Sequence, residues 1–170
     1  MAQQKLQQSY DFLRALPVPQ TSAAAAWYTV CLVAGIPAVV ASLLIAEARY
    51  GISFMVSPAI VPAVLLTAFT GTMIGYGLGH AVSNPMATNL VTELLIFAVF
   101  GFTPILFPAW QIPGWLATLN WWFPFGHMAV IVRAGLTTGM VTGIASSYLI
   151  VAVWGIIGAA ASAWALGRRG

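Results

Sequence analysis

Few residues in this chain can do chemistry, and their spacing limits what they could do. The acids are Asp11, Glu47 and Glu93, three in 170 residues. They lie far apart in sequence, which disfavours a carboxylate pair or a magnesium cage built from several oxygen ligands. The two histidines, His80 and His127, fall at opposite faces of the topology developed below, so no two-histidine metal site is expected. The single cysteine, Cys31, lies in an apolar run and allows no disulfide framework or thiolate cluster. Lys5, in QQKLQQ, is the only lysine, and no glycine-rich phosphate loop surrounds it. The run Gly75-Tyr76-Gly77-Leu78-Gly79-His80 nearly matches a dinucleotide fingerprint, but its sixth position is histidine. It also sits inside an apolar helix and not after a strand, the context the fingerprint needs. No serine has the surroundings of a triad nucleophile. These residues point away from an enzyme.

The elements that carry them belong to a membrane. The chain is 61% hydrophobic and 5% charged, with a mean hydropathy of +0.93. A soluble domain needs far more charge to cover its surface. The net charge is +3, with no basic patch interleaved with aromatics, so nucleic acid is not a partner. The polar first twenty residues lack the apolar core of a signal peptide. A hydrocarbon layer of ~30 Å takes about 20 helical residues to cross. Four apolar runs qualify, at 23–46, 58–82, 86–107 and 144–166, giving an all-α polytopic membrane protein of one domain. Gly35 and Pro37 predict a kink in the first helix. Asn84 and Pro85 predict a capped start for the third.

Basic residues set the orientation. Lys5 and Arg14 precede the first run, and Arg168 and Arg169 follow the last. Four crossings put both ends on one side, and the excess of positive charge makes that side cytoplasmic. The stretch PAWQIPGWLATLNWWFP, residues 108–124, then falls outside. Its prolines leave carbonyls unpaired, which lipid does not tolerate. Its tryptophans favour the membrane–water boundary. Segment 108–140 therefore reads as short broken helices dipping in from the outer face.

Three further features carry mechanical meaning. Gly71, Gly75 and Gly79 share one helix face and allow close helix approach, either within the chain or at a subunit seam. Glu93 is an acid inside an apolar helix, so it is either a satisfied structural group or a cation contact on a pathway. The run KLQQSYDFLRALPVP does not span. Leu6, Tyr10 and Leu13 share a face, which makes 1–20 an interfacial anchor or a docking knob for a cytosolic partner.

The order of these pieces resembles the type-2 ABC exporter permeases. YDFLRALPVP ahead of a membrane helix is similar to the segment between that family's second and third helices. NPMATNL, an apolar helix, FGFTPILFPAWQIPGWLATLNWWFPFGHMAVIVRAGL and a last helix follow in the family's order. Ile112-Pro113-Gly114-Trp115-Leu116, Phe123-Pro124 and Arg133-Ala134-Gly135-Leu136 fill the family's proline-bounded steps and its arginine ending. Phe123 stands where the family usually has asparagine, with Asn120 nearby. The likeness covers nearly the whole chain and leans toward the daunorubicin-type drug-exporter branch. The family has six helices, and this chain begins at the segment after the second.

The resemblance implies a permease in the plasma membrane, with both termini cytoplasmic, that exports drugs or other amphipathic, lipid-like molecules. The chain would hold no cofactor. ATP and Mg would bind a separate cytosolic ATP-binding subunit, and the permease would pair with a second copy or a second permease. Tyr10, Asp11, Phe12, Leu13 and Arg14 would couple to the ATP-binding subunit. Pro113, Trp115, Pro124 and Arg133 would lie in re-entrant outer helices. The alternatives are a non-transporting scaffold or truncated relic that anchors a partner, and a proton-coupled carrier using Glu93 and His80.

Overall fold

The computed structural model describes residues 20–82, 84–105, 111–137 and 141–167. These form six helices and, among the described residues, no strand. They are α1 (Gln20–Tyr50), α2 (Ile60–Ala81), α3 (Pro85–Phe102), α4 (Gly114–Trp122), α5 (Pro124–Leu136) and α6 (Ile144–Gly167). Helices α1, α2, α3 and α6 are long and apolar enough to cross a membrane.

Local chemistry explains most boundaries. Helix α1 runs unbroken through Pro37 and stops at Gly51, whose φ of 64° closes the last turn with a bond from its N–H to the Glu47 carbonyl at 2.9 Å. Helix α3 starts as expected: the Asn84 side chain accepts from the Met86 N–H at 2.9 Å, and Pro85 occupies the first turn. Its end differs from expectation. The apolar run continues to residue 107, but the helix stops at Phe102 and Thr103 is extended, with φ −100° and ψ 142°. Thr103 precedes Pro104, whose ring disfavours helical geometry in the residue before it.

Helices α2 and α6 form the central seam, with α5 laid across both. Ala63, Met128, Ile131 and Val151 are buried there, backed by Leu66, Phe125, Val132 and Tyr148. Lipid gives little hydrophobic force between helices, so close packing and interhelical hydrogen bonds carry the contact. Thr70 Oγ1 donates to the Val151 carbonyl at 3.0 Å. The Ser162 hydroxyl, shared between acceptors, lies 2.7 Å from the Gly158 carbonyl and 3.2 Å from that of Met73. Helix α1 touches this bundle mainly along α2, where Tyr28 packs edge-on against Phe69 and donates to the Leu65 carbonyl.

Two of the regularly spaced glycines, Gly71 and Gly75, are not among those that permit this seam. Gly71 and Gly75 are exposed, and a Cβ added at either meets nothing within 4 Å; Gly79 is buried. The close approaches lie at Gly77, Gly155 and Gly158. A Cβ on Gly155 would stand 2.8 Å from Thr70 Oγ1, and one on Gly158 3.1 Å from the Ile74 backbone nitrogen. Gly135, near the end of α5, presses on the start of α2: a Cβ there would sit 2.7 Å from the Ile60 Cα. The extended chain before α2 is strapped to the same place, with Ser57 N–H donating to the Gly135 carbonyl and Met55 N–H to that of Leu136.

Candidate functional site

The tryptophan-rich stretch forms two short helices meeting at a corner. Pro113 precedes α4, and α4 ends at Trp122 because Phe123, ahead of Pro124, is extended (φ −93°, ψ 148°). Pro124 then opens α5 and is fully buried. A helix broken this way leaves carbonyls without partners. Neighbouring side chains supply the donors. His127 Nε2 reaches the Trp121 carbonyl at 2.9 Å, and Trp154 Nε1, from α6, donates to the Trp122 carbonyl at 2.9 Å. A carbonyl only accepts, so Nε2 carries the hydrogen. His127 Nδ1 lies 3.0 Å from Ser147 Oγ near the start of α6. The Phe123 and Trp154 rings stack across the joint at 5.9 Å. Trp115, Leu119, Trp121 and Trp122 are exposed on this layer.

The corner also holds the exit of α3. Asn120 Nδ2 donates to the Phe102 carbonyl at 2.6 Å, while Thr103 Oγ1 donates to Asn120 Oδ1 at 3.2 Å. From α5, the Arg133 guanidinium reaches the Ile105 carbonyl at 2.5 Å and the Pro104 carbonyl at 3.5 Å. The carbonyls released at Thr103–Pro104 thus gain donors from both short helices. Of the sequence-picked residues, Pro113, Pro124 and Arg133 come together in this layer, with Trp115 on its exposed surface. Sequence reasoning gave no role to Asn120, His127 or Trp154, which form bonds to carbonyls across 6 to 32 positions.

Glu93 stands apart from that layer. With α3 ending at Phe102, it is the ninth of eighteen residues, about two turns from the helix start and in the middle of the helix. Its side chain is exposed and makes no hydrogen bond or ion pair among the described residues. Helix α3 packs little against the rest: of its residues only Thr88 is buried. His80, buried in α2, bonds through Nδ1 to the Tyr76 carbonyl at 2.8 Å, so the structure brings the two histidines to different places. No group of three metal-ligating side chains occurs among the described residues. Tyr10, Asp11, Phe12, Leu13 and Arg14 lie outside the described residues.

A family model described as "ABC-2 family transporter protein" matches residues 1–164. No curated protein and no solved structure matches the chain.

Proposed function

The chain belongs to the ABC-2 transporter family, and from that premise we propose that it is the permease subunit of an ATP-driven exporter of drugs or other amphipathic, lipid-like molecules. The observation that carries the reading is the family match over almost the whole chain, together with four helices able to cross a membrane. A family of this kind supplies the membrane component, and nucleotide hydrolysis belongs to a separate ATP-binding subunit, where ATP and Mg reside. The permease works with a second copy of itself or a second permease, in the plasma membrane, with both termini cytoplasmic. An added Cβ on Gly71 or Gly75 meets none of the described residues within 4 Å, and the two suit a seam with that second permease.

The short helices form a re-entrant layer at the outer face. Nine and thirteen residues give lengths of about 14 and 20 Å, too short for a ~30 Å core. Their exposed tryptophans suit the membrane boundary. Glu93 lines the route that leads to them. Export requires two bundle states with different affinity for the nucleotide-bound subunits, and residues 10–14 pass that difference to the helices.

The experiment is retention of the ATP-binding subunit by the permease assembly. A buried aromatic anchor contributes ~2 kcal/mol or more to such a contact, about thirtyfold in affinity. Phe12→Ala is expected to release the subunit in a pull-down, or to uncouple hydrolysis from export, while membrane insertion persists. Full retention with normal coupled transport would remove Phe12 from the docking role. A wild-type chain that binds no ATP-binding subunit at all would favour the scaffold reading.

A further inference from the structure

The middle of α3 carries an acid that has no ion-pair partner among the described residues. Glu93 lies about 12 Å from either end of the helix, beyond the reach of its own side chain to water. Lipid tails provide no counter-charge, and an intramembrane acid normally faces a partner or a wet cavity. Of the described cations, Arg133 bonds the Pro104 and Ile105 carbonyls and Arg49 is in the last turn of α1; neither forms an ion pair with Glu93.

What surrounds Glu93 on its face has a definite character. Residues four and seven positions on lie above it on the same side of a helix. Those are Phe97 and Phe100, both exposed. One turn below is Asn89, also exposed. The nearby Thr88 and Thr92 hydroxyls have their hydrogens committed to carbonyls four residues back, so they can only accept. The stripe therefore reads amide, carboxylate, phenyl, phenyl toward the short-helix layer. A phenyl face attracts a cation and also accepts an apolar body.

We propose that this stripe of α3 is a binding site for an amphipathic organic cation, with the charged head on Glu93 and the apolar body along Phe97 and Phe100. The proposal rests on the permease reading and names the class of cargo. The stripe selects for one positive charge by the lone carboxylate, and for an apolar body by the rings.

The test uses the full chain in an uncharged maltoside detergent, with tetraphenylphosphonium as probe and tetraphenylborate, of similar size and opposite charge, as control. Wild type is expected to bind the phosphonium saturably. Glu93→Gln should weaken binding about tenfold or more, as loss of a counter-charge away from bulk water requires. Glu93→Asp should restore part of the affinity, and Phe97→Ala should lower it severalfold. Tetraphenylborate should not respond to any of these changes. Helicity by circular dichroism confirms that the variants fold. Displacement by lysophosphatidylethanolamine would assign the site to an ammonium-headed lipid, and its absence to a free amphiphile; both keep the cation site. Equal phosphonium affinity in wild type and Glu93→Gln would overturn it. So would absence of saturable wild-type binding, and if Glu93→Gln then also converted a dimer to monomers, the face would belong to a second copy. Retention of the ATP-binding subunit is scored separately, so the permease reading can stand when the cation site fails, and the reverse.

Discussion

Gly158→Leu is expected to prevent the chain from reaching a stable, monodisperse state in detergent. A side chain there starts 3.1 Å from the Ile74 nitrogen and 3.1 Å from the Met73 carbonyl carbon, and backbone atoms in a packed helix cannot step aside. Relief requires α2 and α6 to part. That strains the Thr70–Val151 and Ser162–Met73 bonds, which join the same two helices. Overpacking of this kind costs about 3 kcal/mol, and more where backbone must move. Gly75→Leu supplies the contrast, because a Cβ there meets nothing within 4 Å among the described residues. Its effect on the isolated chain should stay within about 0.5 kcal/mol. Thermal unfolding in detergent, followed by tryptophan fluorescence, compares the two. Equal loss at both positions would mean that the α2–α6 seam is not where the helices approach.

His127→Phe is expected to loosen the corner between α4 and α5. The phenyl ring fills similar space but donates nothing to the Trp121 carbonyl and removes the partner of Ser147. A carbonyl left without a donor costs up to about 1–3 kcal/mol, the upper end applying only where water does not reach it. Ser147 retains its bond to the Gly143 carbonyl, so the loss concentrates on Trp121. Amide hydrogen exchange should rise over residues 120–127 while the α2–α6 seam stays protected. Trp154→Phe, which keeps a ring against Phe123 but loses the bond to the Trp122 carbonyl, should show the same pattern. Unchanged exchange in both variants would show that the corner is held by ring packing alone.

The sequence reveals the four long helices because each is a long run of apolar residues, and that signal is local. The start of α3 is equally local, written in Asn84 and Pro85. Its end is written in Thr103-Pro104, but the apolar run beyond those residues masks the stop. The glycine seam was not legible in the same way. A four-residue spacing tells which residues share a face but not what that face meets, and a Cβ on Gly71 or Gly75 meets nothing within 4 Å among the described residues. Gly155 and Gly158, three apart in α6, carry the close approach without any such four-residue glycine repeat. The break at 108–124 was readable from its prolines, whereas Asn120, His127 and Trp154 were not. Their roles depend on which carbonyls the broken helices leave open, and that is fixed only after the chain is packed.

The length of α1 has a mechanical consequence for the whole molecule. Its uncharged stretch, residues 22–46, is about 37 Å long as a straight helix. A hydrocarbon layer of about 30 Å is shorter than that, so a straight α1 fits by leaning roughly 35–40° or by stretching the lipid around it. A thicker bilayer sets the helix upright and a thinner one lays it down. Tyr28, near one end, is pinned to α2 by its bond to Leu65 and its contact with Phe69. The change in lean is therefore taken up at the far end, which carries Glu47 and Arg49 and feeds, through Gly51, the strap that holds Gly135 and Leu136. Hydrophobic mismatch is in this way geared to the joint between α2 and α5, and bilayer thickness becomes a force on the helix that carries Arg133.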